Sequence, residues 1–298
     1  MNVYRCLKDL VSPISPHLVD RVKQHVEDSE KEFSANPREG ENSFLWEHSL
    51  HVASIARQIC LEENIDPIIP VIAALFHDAG KFREGDYHED ETAEEEVAAS
   101  IARKVLAEEG VDENLITTVS NGLTALYNEE APDNKSADIV HDADFLAKSG
   151  YLGVAHFFIK GTLRGQNLQR SLIQSLSQEL TYASVLPENM RTETGRKMAS
   201  EKRQRAENFF QGLLDELNDH GIGRFKIEET SWPCPADPQK MVKLHIALPE
   251  ECPDCGGNFT TEYSSEKGIK CTKLMADARC AQCPNTYHIS FCLPEICS

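Results

Sequence analysis

The residues with the clearest chemistry are His48, the adjacent pair His77-Asp78, and Asp144, with a second aspartate, Asp142, two positions before it. Two imidazole nitrogens and two carboxylate oxygens form a donor set for one divalent ion: Mn, Fe, Co, Ni, Zn or Mg. Such a set leaves coordination positions free for water and substrate. This is the chemistry of a metal-dependent hydrolase rather than of a passive scaffold. The donors must converge from distant parts of the chain, since 28 residues separate His48 from His77 and 65 separate Asp78 from Asp144.

A second cluster lies near the other end. Of ten cysteines, only Cys6 and Cys60 fall in the first 225 residues. Cys252-Pro-Asp-Cys255 and Cys280-Ala-Gln-Cys283 are two Cys-x-x-Cys knuckles with 24 residues between them. They offer four thiolates to a tetrahedral structural Zn, in the pattern of a zinc ribbon. A segment of about fifty residues has little core of its own, so the metal would supply much of its stability. Cys234, Cys271, Cys292 and Cys297 are left over, and spacing assigns them no role.

The elements that must position these groups are mostly helical. His48, Val52, Ile55 and Ile59 share one helix face. Val71 to Phe76 is apolar all round, as in a buried helix, with His77-Asp78 directly after it and Gly80 ending it. Residues 86 to 96 are acidic and read as a solvated helix start leading through Val97, Ile101 and Val105. A further helix is expected over Glu113 to Leu126, and Asp144 to Lys148 reads as the opening of the next, with Asp142 or Asp144 as its N-cap. Thr192 to His220 reads as a long amphipathic helix with Ala206, Phe209, Phe210, Leu213 and Leu217 on its apolar stripe. The fold class is therefore mainly α, a helical bundle followed by a small β-rich module. Residues 1–225 are the helical domain, 226–248 a linker ending in a strand through Val242, Leu244 and Ile246, and 249–298 the ribbon.

Composition narrows the partners. The 298-residue chain carries a net charge of −19 and is 40% hydrophobic. That balance suits an ordinary folded core and argues against a generic polyanion binder. The tail from residue 249 has seven acids against four bases, a poor grip for a phosphate backbone. Nucleic acid is thus not favoured, and a protein partner or self-association suits the ribbon better. The longest apolar run, Ile68 to Phe76, is nine residues, too short to span a bilayer. With no secretory pattern at its start, the chain is expected in the cytoplasm.

Leu75-Phe-His-Asp-Ala-Gly-Lys81 resembles the signature of the HD superfamily of metal-dependent phosphohydrolases. Glu47-His48-Ser49-Leu50-His51-Val52-Ala53 is similar to that family's first motif, and Asp142-Ala-Asp144-Phe-Leu146 to its last. The Ala-Asp-x-Leu match selects Asp144 over Asp142. Met190 to Ala199 resembles the closing helix of a subgroup of stand-alone HD hydrolases. The resemblance implies metal ligands His48, His77, Asp78 and Asp144, and cleavage of a phosphate ester by metal-activated water. The substrate would be a nucleotide or another small phosphorylated metabolite. Asp78 would assist proton transfer, with Lys81 and His51 stabilising the developing charge. His88 and His141 are the other histidines between His77 and Asp144, candidates for a supporting role; relatives with two metals carry more histidines, so one ion is expected. Three alternatives stand beside this reading: a phosphodiesterase for RNA or a cyclic nucleotide, a non-catalytic nucleotide sensor, and a di-iron oxygenase using His88 and His141.

Overall fold

The computed structural model describes residues 3–33, 44–83, 86–87, 93–128, 131–163, 165–233, 239, 241–267 and 272–292. These fold into two compact units, Met1–Ala147 with Arg191–Gly195, and Lys148–Met190 with Arg196–Ser298.

The first unit is helical: α1 (Val3–Val11), α2 (Leu18–Phe33), α3 (Phe44–Glu62), α4 (Ile68–Phe76), α5 (Glu94–Glu108), α6 (Glu113–Thr124) and α7 (Lys135–Ala147). A two-residue pairing, β1 (Phe82–Arg83) with β2 (Asp86–Tyr87), sits between α4 and α5. Helices α3, α4 and α7 pack on one another at its centre. α3 buries Leu45, Val52, Ala53, Ile55, Ala56 and Ile59, and α4 buries every residue from Pro70 to Phe76. Pro70 is tolerated because it falls in the first turn, where a backbone N–H has no intrahelical acceptor.

Helix α7 corrects the sequence-based start. It opens at Lys135, with Asn134 Oδ1 accepting the Ala137 amide at 3.1 Å as an N-cap. Asp142 and Asp144 lie inside it and cap nothing of α7. Two buried acids had broken an otherwise apolar face of Ala137, Ile139, Val140, Ala143, Leu146 and Ala147.

The second unit joins helices to strands. α8 (Gly150–Leu163), α9 (Leu168–Asn189) and the part of α10 (Glu193–Asp219) from Arg196 onward bury Val154, Phe157, Leu172, Leu176, Leu180, Phe210, Leu214 and Leu217 together. Phe209, expected on the apolar stripe of α10, is 39% exposed, and Leu214 takes the buried place. β3 (Phe225–Pro233) pairs antiparallel with β4 (Met241–Pro249), from Phe225 opposite Pro249 to Pro233 opposite Met241. β5 (Phe259–Lys267), β6 (Thr272–Cys280) and β7 (Thr286–Cys292) form an antiparallel three-stranded sheet. The two sheets share one core, in which Val242, Leu244, Ile246 and Leu248 meet Leu274, Ala276, Ala278, Ile289 and Phe291.

Residues 226–248, expected as a linker with an entry strand, lie within the β3–β4 hairpin, and the compact unit that holds it includes α8, α9 and most of α10. The reason is a set of bonds from α9. Ser177 Oγ and Thr181 Oγ1, one turn apart, each accept at 2.9 Å from the Ala247 and His245 amides of β4. Gln178 donates to the Ser290 carbonyl of β7. One helix therefore satisfies backbone groups on an edge of each sheet, and the strands have no separate existence from it.

Candidate metal centre

His48 is carried in the first turns of α3, and Asp144 projects from α7. His77 is the C-cap of α4, and Asp78 follows in the turn that leaves it. That turn is tight: Ala79 N donates to Phe76 O at 2.9 Å and Lys81 N to Asp78 O at 3.1 Å. Gly80 is required there, since a Cβ would lie 2.9 Å from the Glu94 carbonyl and 3.0 Å from Val97 Cβ, so the start of α5 rests on this turn. The doublet is therefore held just beyond a helix rather than within one, against the reading of His77-Asp78 as helical.

The four side chains meet in the interior of the first unit, each at most 7% exposed. His48 Nε2 is 2.9 Å from Asp144 Oδ1 and 3.7 Å from Asp78 Oδ2. His77 Nε2 is 3.6 Å from both Asp78 Oδ1 and Asp144 Oδ1. One donor atom each of His48, His77 and Asp78 falls within a 4.8 Å cluster.

The state of His77 tests the fit to a cation. Its Nδ1 donates to the Ala74 carbonyl at 2.7 Å, which fixes the tautomer and leaves the Nε2 lone pair facing the carboxylates. That Nε2 is buried and has no hydrogen-bond partner. A buried acceptor without a donor is costly, and a metal ion is what two carboxylates and a free imidazole nitrogen would accept. The donor set fits a divalent ion.

Electrostatics within the cluster favour positive charge beside the two carboxylates. Burial pushes the pKa of His48 down, with Asp144 pulling the other way. Burial also opposes charge on His77, but Asp78 and Asp144 outweigh it and raise its pKa. Asp78 is held well below the usual carboxylate range: burial would raise it, and His77, Lys81 and His48 prevail. Lys81 Nζ stands 3.0 Å from Asp78 Oδ2 and stays charged, because Asp78 and Glu94 overcome its burial.

Two contributors lay beyond the sequence reading. Tyr127, just after α6, donates its hydroxyl to Asp144 Oδ2 at 2.6 Å. Glu94, grouped in sequence with solvated acids, is half-buried, and its carboxyl is pushed up to about 7 by burial, with Lys81 opposing and Asp78 adding. No motif marks either residue; a tyrosine in a turn and the first of three glutamates look like surface. His51 sits one turn after His48 and is half-buried. His141 is buried, with Nδ1 3.0 Å from Asp142 Oδ1 and its ring between those of Tyr127 and Phe145. His88 lies outside the described residues.

Asp142 serves another purpose. It accepts from the amides of Arg191 and Thr192 at 2.9 and 2.8 Å and from Thr192 Oγ1 at 2.7 Å. Thr192 Oγ1 in turn accepts the Gly195 amide at 2.9 Å, capping α10. A side chain at Gly195 would meet Asp142 Oδ2 at 2.2 Å. Arg191 to Gly195 thus form a lock on α7.

In the second unit the four knuckle cysteines cluster, their sulfurs all within 4.8 Å of one another. Cys252 and Cys283 sulfurs are 3.6 Å apart, and those of Cys255 and Cys280 are 3.4 Å apart. A disulfide needs about 2.05 Å, whereas a tetrahedral zinc with Zn–S near 2.3 Å sets its sulfurs about 3.8 Å apart. Gly256, at φ +73°, supplies the left-handed residue that turns the first knuckle. The Cys252 thiol is lowered to about 7: burial opposes this, and bonds from the Asp254 amide and Asn285 outweigh it. Cys283 is driven up to about 12, since burial and the three neighbouring sulfurs overcome the Asn285 amide. Four thiolates here call for a cation. Cys234, Cys271 and Cys297 lie outside the described residues, and Cys292 ends β7.

The HD domain family matches residues 45–148. No curated protein matches the chain. Among solved structures, a predicted HD superfamily hydrolase from an uncultured Thermotogales bacterium is 24% identical, covering 67% of this chain and 92% of its own, with a TM-score of 0.48. Bacillus subtilis YpgQ, solved with ADP, is 22% identical over 67% of this chain and 94% of its own, with a TM-score of 0.49. An HD-superfamily hydrolase from Bacillus thuringiensis is 19% identical over 67% and 97%, with a TM-score of 0.44. Among the described residues no helix is long and apolar enough to cross a membrane. Residues 45–148, which carry the histidine and aspartate cluster, match the HD domain family.

Proposed function

We propose that the chain is a phosphohydrolase that cleaves a small phosphate ester, with one divalent ion held by His48, His77, Asp78 and Asp144. The observation that carries this is the lone pair of His77 Nε2, buried, unpartnered and facing two carboxylates. A bound ion would supply Lewis acidity toward a phosphoryl oxygen and toward water. The residues supply the rest. Asp78 and Asp144 are the carboxylates within reach of a proton released there, and His77, Lys81 and His48 keep Asp78 ionised. Lys81, fixed on Asp78, presents positive charge to a phosphate, and His51 adds a second donor from α3. Zinc on Cys252, Cys255, Cys280 and Cys283 is structural in this reading, closed to substrate by four protein ligands.

Asp78→Ala removes a ligand and a base together. Phosphate release from a panel of nucleotides and sugar phosphates, under Mn, Co, Ni and Mg, should fall at least about a hundredfold, together with metal retention at this site. Undiminished phosphatase activity in that variant would refute the assignment.

A further inference from the structure

The segment from Arg191 to Gly195 closes on Asp142 through the amides of Arg191 and Thr192, the Thr192 hydroxyl and the near approach of Gly195. Those contacts use the backbone of Arg191 and have no need of its side chain. The guanidinium turns instead toward residues that hold a candidate ligand. Its Nη1 donates to the Leu126 carbonyl at 3.2 Å and stands 3.6 Å from Asp138 Oδ1 of α7.

We propose that Arg191 is a positioning residue for the metal centre, acting on Asp144 through Leu126 and Tyr127. This rests on the four-ligand reading above. Both intermediaries lie beyond Thr124, the last residue of α6, where the chain has left the helical ladder. Leu126 is only 1% exposed, so its carbonyl needs a donor from within the protein. The guanidinium supplies one, and the bond fixes the peptide unit that leads into Tyr127. Tyr127 in turn donates to Asp144 Oδ2 at 2.6 Å, while Oδ1 lies 2.9 Å from His48 Nε2 and 3.6 Å from His77 Nε2. The bonds make a circuit. It runs from Asp138 and Asp142 of α7 to Arg191, across to Leu126 and Tyr127, and back to α7 at Asp144. With one corner released, Tyr127 no longer holds Oδ2, and the carboxylate can turn Oδ1 away from the imidazoles. A ligand that must be ordered at each binding event holds its ion more weakly. The pair with Asp138 does not by itself account for the arginine. Its side chains are 32% and 34% exposed, a setting in which an ion pair contributes little.

The test is the Mn affinity of the purified full chain, read from free Mn by electron paramagnetic resonance, with urea midpoints measured alongside. Tyr127→Phe should weaken Mn binding about 10- to 100-fold, and Arg191→Met about 5- to 20-fold. In the Tyr127→Phe background, Arg191→Met should change the affinity less than about twofold, because its route to Asp144 is already cut. Thr192→Ala loosens the hold on Asp142 without touching Leu126. Its urea midpoint should fall while its Mn affinity stays within about twofold of wild type. Arg191→Lys keeps the charge and a donor, so it should lie between wild type and Arg191→Met, and it carries the same cycle should the methionine variant not fold. An unchanged affinity in both Arg191 variants would overturn the role. So would an equal loss in Thr192→Ala, or a loss undiminished in the Tyr127→Phe background. A wild type that takes up no Mn at all sinks the four-ligand reading, and this role with it.

Discussion

At the residue scale, three of the four candidate ligands are each held by a partner outside the cluster. Ala74 O fixes the His77 tautomer, Lys81 holds Asp78, and Tyr127 holds Asp144. The candidate ligands could be named because their residue types are rare on apolar faces, and Lys81 from its place one turn after His77; Tyr127 and the half-buried Glu94 leave no pattern. Gly195 is a sharper case. The motif around it was legible only as a resemblance, and its physical basis is contact with Asp142. Gly195→Ala should lower stability by about 1–3 kcal/mol, read as a lower urea midpoint; an unchanged midpoint would show that Asp142 does not depend on this approach. Lys202, bonded to Ser149 O at 3.3 Å, is lowered to about 8 by burial, with Arg205 adding. Its unfolded form binds a proton up to the ordinary 10.5, so folding stability rises with pH between about 8 and 10.5 as the penalty on the charged form fades. Lys202→Met should therefore gain about 1 kcal/mol at pH 7 and lose that advantage by pH 10.5. A gain independent of pH would assign the effect to packing instead.

At the element scale, long periodic helices were readable and their junctions with other elements were not. The apolar run of α4 forecast a buried helix, although the helix ends before the doublet rather than at Gly80, and the alternation of β4 forecast a strand. The start of α7 was misplaced because Asp142 and Asp144 face inward, each toward a partner that local sequence does not reveal. β3 was hidden by Glu228, Glu229 and Pro233, which read as linker; in the fold its partner β4 carries the buried face. The edge bonds from α9 were invisible for the same reason, since Ser177 and Thr181 look like ordinary helix hydroxyls. Replacing them tests the element directly. Ser177→Ala and Thr181→Val each leave a β4 amide without its acceptor and should cost about 1–3 kcal/mol. Hydrogen exchange at Ala247 and His245 should quicken in the matching variant, and protection equal to wild type would contradict the edge-capping role.

At the scale of the whole molecule, the chain carries two donor sets of different softness in two compact units. Nitrogen and carboxylate oxygen gather in the first and four cysteine sulfurs in the second. The broad plan, a helical body followed by a β module with two Cys-x-x-Cys knuckles, was legible from periodicity and spacing, and the HD likeness from its motifs. The partition of helices between units was not, because α8, α9 and most of α10 are as helical in sequence as the HD domain they follow. Different softness gives the two sites separate readouts. The most direct measurement is elemental analysis of protein loaded with Mn and purified free of excess metal, for wild type and Asp144→Ala. Wild type should hold one zinc and one further divalent ion per chain, and Asp144→Ala should keep the zinc and lose the other. Retention of both ions in Asp144→Ala, or a wild type that binds zinc alone at one per chain, would contradict the four-ligand centre.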